Sequence, residues 1–193
     1  MGRPRGITRA ISAISLFEFE TLIDYIRATK RHALRNEILM RLVYEGLKPI
    51  EVCNLKVEDI FGKKGILDEV KLKYGTRERK VRLTYEKDVL GKMLNEYILT
   101  LWGKYGNSYS KKALLFRTQK GNFSPNSLQE LIRKLFKIIK LDEYTSESLR
   151  LGYAVKMFGE GKSDKDIAMK LGDENTPRVL RKIRMLRKAS LNH

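Results

Sequence analysis

Tyr44-Glu-Gly-Leu-Lys-Pro-Ile-Glu-Val-Cys-Asn-Leu-Lys-Val-Glu-Asp-Ile60 is the stretch on which the fold turns. Gly46 ends a helix that begins near Arg35, because glycine adopts the left-handed backbone that closes a helix. Pro49 then opens a short helix, Ile50 to Leu55, where its missing N–H has no partner to lose. Val57-Glu-Asp-Ile-Phe leads into a glycine turn and two strand-like runs, Glu69-Val-Lys-Leu-Lys and Arg79-Lys-Val-Arg-Leu-Thr. Tyr74-Gly-Thr-Arg-Glu between them reads as the hairpin turn. Alternation sets Val70, Leu72, Val81 and Leu83 on one face and leaves Lys71, Lys73, Lys80 and Arg82 on the other. This hairpin should therefore carry one strongly cationic face, although an ordinary solvated strand face would look the same.

Toward the N-terminus, Phe17, Phe19, Leu22, Ile23, Tyr25 and Ile26 follow helical spacing. The basic run Gly2-Arg3-Pro4-Arg5-Gly6 makes residues 1–12 a flexible arm, one that could lie in a minor groove or simply be a tail. Toward the C-terminus, helical periodicity returns at Val89 to Trp102, and a loop follows from Tyr105 to Ser110. After the apolar run Leu114-Leu-Phe-Arg and the turn-like Lys120-Gly-Asn-Phe, Ser124-Pro caps a helix over Leu128 to Ile139. Helices over 146–159, 163–171 and 176–188 finish the chain. The expected fold is mainly α with a small antiparallel β-sheet (α+β), and residues 13–193 form a single domain.

Forty Lys and Arg against 23 Asp and Glu leave a formal charge of +17 on 193 residues. Repulsion on that scale is tolerable in a compact molecule when a polyanion offsets it, and nucleic acid is the leading candidate. A ribosome-associated or membrane-surface protein, or the Lys-rich surface of a thermophile, would share the charge. Cys53 is the one cysteine and cannot form an internal disulfide; a buried small side chain is expected. His32 and His193 complete a ligand set too poor for a protein-built zinc site, so no metal and no cofactor are expected. No apolar run approaches membrane-spanning length and the N-terminus lacks a signal-peptide core, which points to a cytoplasmic, nucleoid-associated protein with no membrane partner.

The quoted stretch resembles the first signature of the tyrosine recombinases, the phage-integrase family. There a helix ends in Gly-Leu-Arg, continues as hydrophobic-Ser-Glu-Leu/Val and reaches an Asp-Ile pair; Glu51, Leu55, Asp59 and Ile60 fall in register. Lys73-Tyr-Gly-Thr-Arg-Glu-Arg-Lys-Val-Arg-Leu resembles the family's hairpin, and Leu115-Phe-Arg-Thr-Gln-Lys-Gly the stretch after it. Ser146-Glu-Ser-Leu-Arg150 sits where the family has His-Ser-Leu-Arg. Gly161-Lys-Ser-Asp-Lys-Asp-Ile-Ala-Met-Lys-Leu-Gly-Asp173 sits where it has a Leu-Gly-His motif. The match runs in order over residues 16–182 and implies a tyrosine-recombinase catalytic-domain-like fold.

The resemblance implies chemistry in which a tyrosine attacks a phosphodiester. Two arginines and a histidine or tryptophan stabilise the crowded phosphate, a lysine serves as acid, and no metal takes part. The first arginine's position holds Lys48, which keeps the charge but loses the planar fork. Lys73 or Arg77 could stand in for the hairpin lysine. Glu147 and Asp173 fill the histidine positions with acids, where repulsion of phosphate is expected. Arg150 is retained. Segment 174–184, where the nucleophile would fall, has no tyrosine; the last in the chain is Tyr153, better read as core. Thr176 and Ser190 have no convincing base nearby.

The expectation is therefore a non-catalytic, double-stranded DNA-binding protein with no catalytic residues, only vestigial positions Lys48, Lys73, Glu147, Arg150 and Asp173. Phosphate contacts are expected from Lys48, Lys71, Lys73, Arg77, Arg79, Arg150, Arg178, Arg181, Lys182 and Arg184. A regulatory, architectural or accessory role fits, in an archaeal or viral mobile element. The clamp domain that precedes the catalytic domain in full-length relatives has no counterpart here, so a one-sided grip is expected unless the chain forms a homo-oligomer or joins a catalytic recombinase. Residues 163–187 also resemble a helix-turn-helix, with Ile167, Ala168 and Leu171 packing, Gly172 turning and Arg178, Arg181, Lys182 and Arg184 on the recognition helix. A helix-turn-helix regulator, an active recombinase with an unusual or trans-donated nucleophile, and an RNA-binding protein are the alternatives.

Overall fold

The structure, a computed structural model, describes residues 12–29, 31–63, 65–74, 77–106, 110–118, 121–172, 181 and 184–185. Helix α1 (Leu16–Ala28) starts at a capping box in which Ser15 Oγ accepts from the Glu18 amide at 3.2 Å and Glu18 accepts from the Ser15 amide at 2.8 Å. Its Phe19, Leu22, Ile23 and Ile26 are buried, whereas Phe17, in the same run, is 80% exposed. Helix α2 (Ala33–Tyr44) is buried along nearly all of its second half and forms the centre of the molecule. Even Arg41 is buried there, held by Glu37 at 2.9 Å and by Glu86.

The quoted stretch becomes α3 (Pro49–Asn54) and α4 (Val57–Ile60). Gly46 turns the chain between α2 and α3 at φ 96°, and a Cβ there would stand 3.0 Å from the Lys170 carbonyl. Only glycine fits both demands. Three two-stranded antiparallel ladders follow: β1 (Phe61–Gly62) with β2 (Gly65–Ile66), β3 (Glu69–Tyr74) with β4 (Arg77–Arg82), and β5 (Arg117–Thr118) with β6 (Gly121–Asn122).

Pairing of Tyr74 with Arg77 and Lys73 with Glu78 carries the β3–β4 ladder further than the sequence reading placed it, and only Gly75 and Thr76 lie between the strands. A two-residue connection suits the twist of a hairpin better than the five-residue turn expected. The expected faces hold: Val70, Leu72, Val81 and Leu83 are buried and Lys71, Lys73, Lys80 and Arg82 exposed.

Helix α5 (Lys87–Tyr105) outruns its expected bounds at both ends, and α6 (Pro125–Ile138) starts on Ser124, whose Oγ accepts from the Ser127 amide at 3.1 Å. Helices α7 (Ser146–Gly159) and α8 (Asp164–Leu171) lie where the sequence placed them. Residues 1–11 and most of 176–188 lie outside the described residues. One core joins these elements. At its centre the rings of Phe19 and Tyr44 stack at 3.9 Å, with Tyr85 and Tyr153 edge-on. Tyr153 is 3% exposed, as a core residue should be, and Cys53 is buried. The architecture is mainly helical with small antiparallel sheets.

Candidate nucleic-acid interface

Arg150 lies on the buried face of α7, its guanidinium turned toward the ends of α2 and α8. Nε donates to the Gly46 carbonyl at 3.1 Å, Nη2 to the Leu171 carbonyl, and Nη1 to Glu147 Oε2 at 2.6 Å. Gly46 stands just past the end of α2, and Leu171 is the last residue of α8, whose final carbonyls have no intrahelical donor. Arg150 thus ties α2, α7 and α8 together. Its i,i+3 neighbour Glu147 brings a balancing charge.

Lys48 and Arg79 act on the same helix end. Lys48 Nζ donates to the Gly172 carbonyl at 3.0 Å, and Arg79 Nη1 donates to the Lys170 carbonyl at 2.9 Å and the Met169 carbonyl at 3.3 Å. Cations at a helix C-terminus also meet the negative end of its dipole. Every carbonyl from Met169 to Gly172 is thereby held by a side chain from another element.

Arg79, expected among the phosphate contacts, is turned to partners within the fold. Its fork grips both oxygens of Glu51 at 2.7 and 2.6 Å, with the side chain 16% exposed. It sits between Lys80 and Glu78, which face solvent, in step with Val81 on the apolar side. The alternation that placed Lys71 and Lys80 outside thus also places Arg79 inside. Glu51, read from sequence as a signature residue, serves as the buried anion for this arginine and accepts from the Lys48 amide at 2.7 Å.

A second buried pair escaped the sequence reading. Glu45 is 0% exposed and accepts from the Thr84 amide at 2.8 Å, from the Tyr85 amide and from Lys170 Nζ at 2.5 Å. Burial holds the Lys170 ammonium below the ordinary lysine value, against the opposing pull of Glu45. An acid inside an otherwise apolar helix end was the available signal.

Among the described residues, the expected active-site positions are therefore only partly assembled. Lys48, Glu147 and Arg150 converge at the junction of α2, α7 and α8, next to Gly172; Asp173 lies outside the described residues. Lys73 is on the hairpin's solvent face, 3.4 Å from Glu78. Lys71, Lys80 and Arg82 share that face, interrupted by Glu69 and Glu78. Arg77 opens β4. Arg181 and Arg184 are exposed, Arg184 standing 3.6 Å from Asp164, while Arg178 and Lys182 lie outside the described residues.

Helix α8 belongs to this body. Ile167, Ala168 and Leu171 are buried in the common core, and the carbonyl clamp binds its end to α2, β4 and α7. A freestanding helix-turn-helix module would not be fastened in this way. Among the described residues, no group of His, Cys, Asp and Glu could hold a metal ion, and no helix is long and apolar enough to cross a membrane.

The order of elements, with the hairpin and the α2–α7–α8 junction, defines the catalytic-domain fold of the tyrosine recombinases. The phage integrase family model matches residues 13–181, and the chain belongs to that family. Among solved structures, XerH recombinase bound to its palindromic difH substrate, in a post-cleavage complex, is 19% identical with a TM-score of 0.75, covering 94% of this chain and 51% of that one. XerA recombinase is 20% identical with a TM-score of 0.72, covering 100% and 67%. The Tn1549 transposon integrase with transposon right end DNA is 15% identical with a TM-score of 0.68, covering 97% and 67%. The likeness at these identities is one of fold, and the chain spans about half the length of XerH. No curated protein sequence matches the chain.

Proposed function

We propose that this chain binds duplex DNA on the tyrosine-recombinase scaffold without cutting it, as a regulatory, architectural or accessory factor of a mobile element. The observation that carries the reading is the inward engagement of the cations in the old active-site positions. Arg150 donates to Gly46, Leu171 and Glu147, and Lys48 to Gly172. Transition-state stabilisation needs preorganised donors aimed at the reacting phosphate. Here donors in those positions hold helix ends. The absence of tyrosine from segment 174–184 supports the same reading.

DNA binding is supported by the charge of +17 and by neighbours such as XerH and the Tn1549 integrase, whose structures hold DNA. The grip falls to the exposed cations: Lys71, Lys73, Lys80 and Arg82 on the hairpin, and Arg181 and Arg184 beyond α8. The same reading includes pairing with a second copy or with a catalytic recombinase.

Fluorescence anisotropy on duplex DNA across a salt series tests the binding half. Alanine at Lys71 and Lys80 should weaken binding and flatten the salt slope by about 0.9 per lost phosphate contact, with the melting temperature unchanged. An unchanged slope would remove the hairpin from the interface, and preference for structured RNA over duplex would overturn the choice of ligand. A nicked suicide substrate tests the other half: a covalent protein–DNA adduct would sink the non-cutting claim.

A further inference from the structure

We propose that Glu147 is a built-in competitor for the DNA backbone: its carboxylate occupies an anion seat on Arg150 and keeps phosphodiesters off that guanidinium at the head of α7. The proposal deepens the reading of the chain as a DNA-binding protein and rests on it for its biological meaning. Its chemistry stands on the geometry of the pair.

The arginine is the fixed partner. Its side chain is 7% exposed, and Nε and Nη2 are committed to the backbone carbonyls of Gly46 and Leu171. Both acceptors are backbone groups, one in the α2–α3 turn and one at the end of α8. The carboxylate is the movable partner, with its side chain 35% exposed and its Oε2 seated 2.6 Å from Nη1. Carboxylate and phosphate oxygens make the same charge-assisted hydrogen bond to a guanidinium edge, so they compete for one seat.

A competitor tethered three residues away acts at an effective concentration on the order of millimolar or above. An incoming phosphate must beat that concentration and also approach a negative charge. The pair thereby removes Arg150 from the DNA interface while leaving it in the fold. DNA is directed to the hairpin cations, and a residue of the chain itself withholds Arg150 from phosphate.

The test titrates inorganic phosphate into the folded full chain at low ionic strength, read by phosphorus NMR, for the wild type, E147Q and E143Q. Glu143 is exposed and makes the same change in net charge when neutralised. E147Q should bind phosphate at least about tenfold more tightly than the wild type, the worth of one charge-assisted hydrogen bond. E143Q should match the wild type. On duplex DNA, E147Q should steepen the salt slope by about 0.9, one added phosphate contact. Equal phosphate binding by E147Q and the wild type would overturn the proposal, as would an equal gain in E143Q, which marks a general charge effect. E147S serves in the same arms should E147Q melt early. Failure of the wild type to bind duplex would defeat the DNA reading alone, since the phosphate arm still judges Glu147.

Discussion

Replacing Arg79 by alanine should unfold the protein more readily rather than merely loosen its hold on DNA. The substitution removes a bidentate partner from Glu51, whose side chain is 9% exposed, and strips the Met169 and Lys170 carbonyls of a donor. Breaking a buried ion pair from one side costs about 3 to 5 kcal/mol, because the remaining charge stays buried and uncompensated. Arg79 keeps a little solvent access, so the lower end applies, about 3 kcal/mol. For a domain of this size that lowers the melting temperature by about 6 to 12 °C. Calorimetry of the wild type, R79A, E51Q and the double variant measures it, and the cycle should show coupling above about 1 kcal/mol. R79K keeps the charge without the fork and should recover only part of the loss. A melting temperature within about 2 °C of wild type, together with a salt slope on DNA flattened by about 0.9, would refute the structural role and return Arg79 to the interface.

Gly172 is at φ +67°, and a Cβ there would lie 2.5 Å from Arg79 Cζ and Nε. G172A should therefore cost about 2 kcal/mol by urea denaturation, from backbone strain and displacement of the clamp together; a neutral result would mean that the α8 end yields. Burial, with the charge of Glu45 behind it, pushes the Tyr153 hydroxyl up to about 12, and burial with Glu18 does the same to Tyr144. The unfolded chain releases these protons first, near pH 10.0, so their stabilisation is complete below that value and is lost as pH climbs toward the folded values. Urea midpoints should fall over that range in step with tyrosinate absorbance; both tyrosines ionising near their ordinary value with the fold intact would contradict it.

Much of the fold was legible because its signals are local. Ser15 and Ser124 cap helices where their spacing to Glu18 and Ser127 says they should, and period-two alternation sorts Lys71 from Leu72. The same alternation sorts Arg79 inward, yet a positive charge in a cationic run reads as solvent-facing until a buried acid is known to await it. Glu51 is that acid, 28 residues earlier. Glu45 is legible as an acid at an apolar helix end, but nothing near it names Lys170, 125 residues away, as its partner. Arg150 was found by motif, but its engagement depends on carbonyls that α2 and α8 deliver from 104 residues before it and 21 after it. Sequence supplied the types and order of the site residues, and long-range packing decided which way they face.

The clamp on the last carbonyls of α8 bears on how such chains change over evolutionary time. Lys48, Arg79 and Arg150 hold one helix end to the rest of the molecule, a duty that does not depend on chemistry at those positions. A need to fold is by itself a reason for a cation to stand at each position. An arginine surviving in the active-site place is therefore poor testimony to activity in descendants of this scaffold. The position of the expected nucleophile, which this clamp does not use, is the more telling witness.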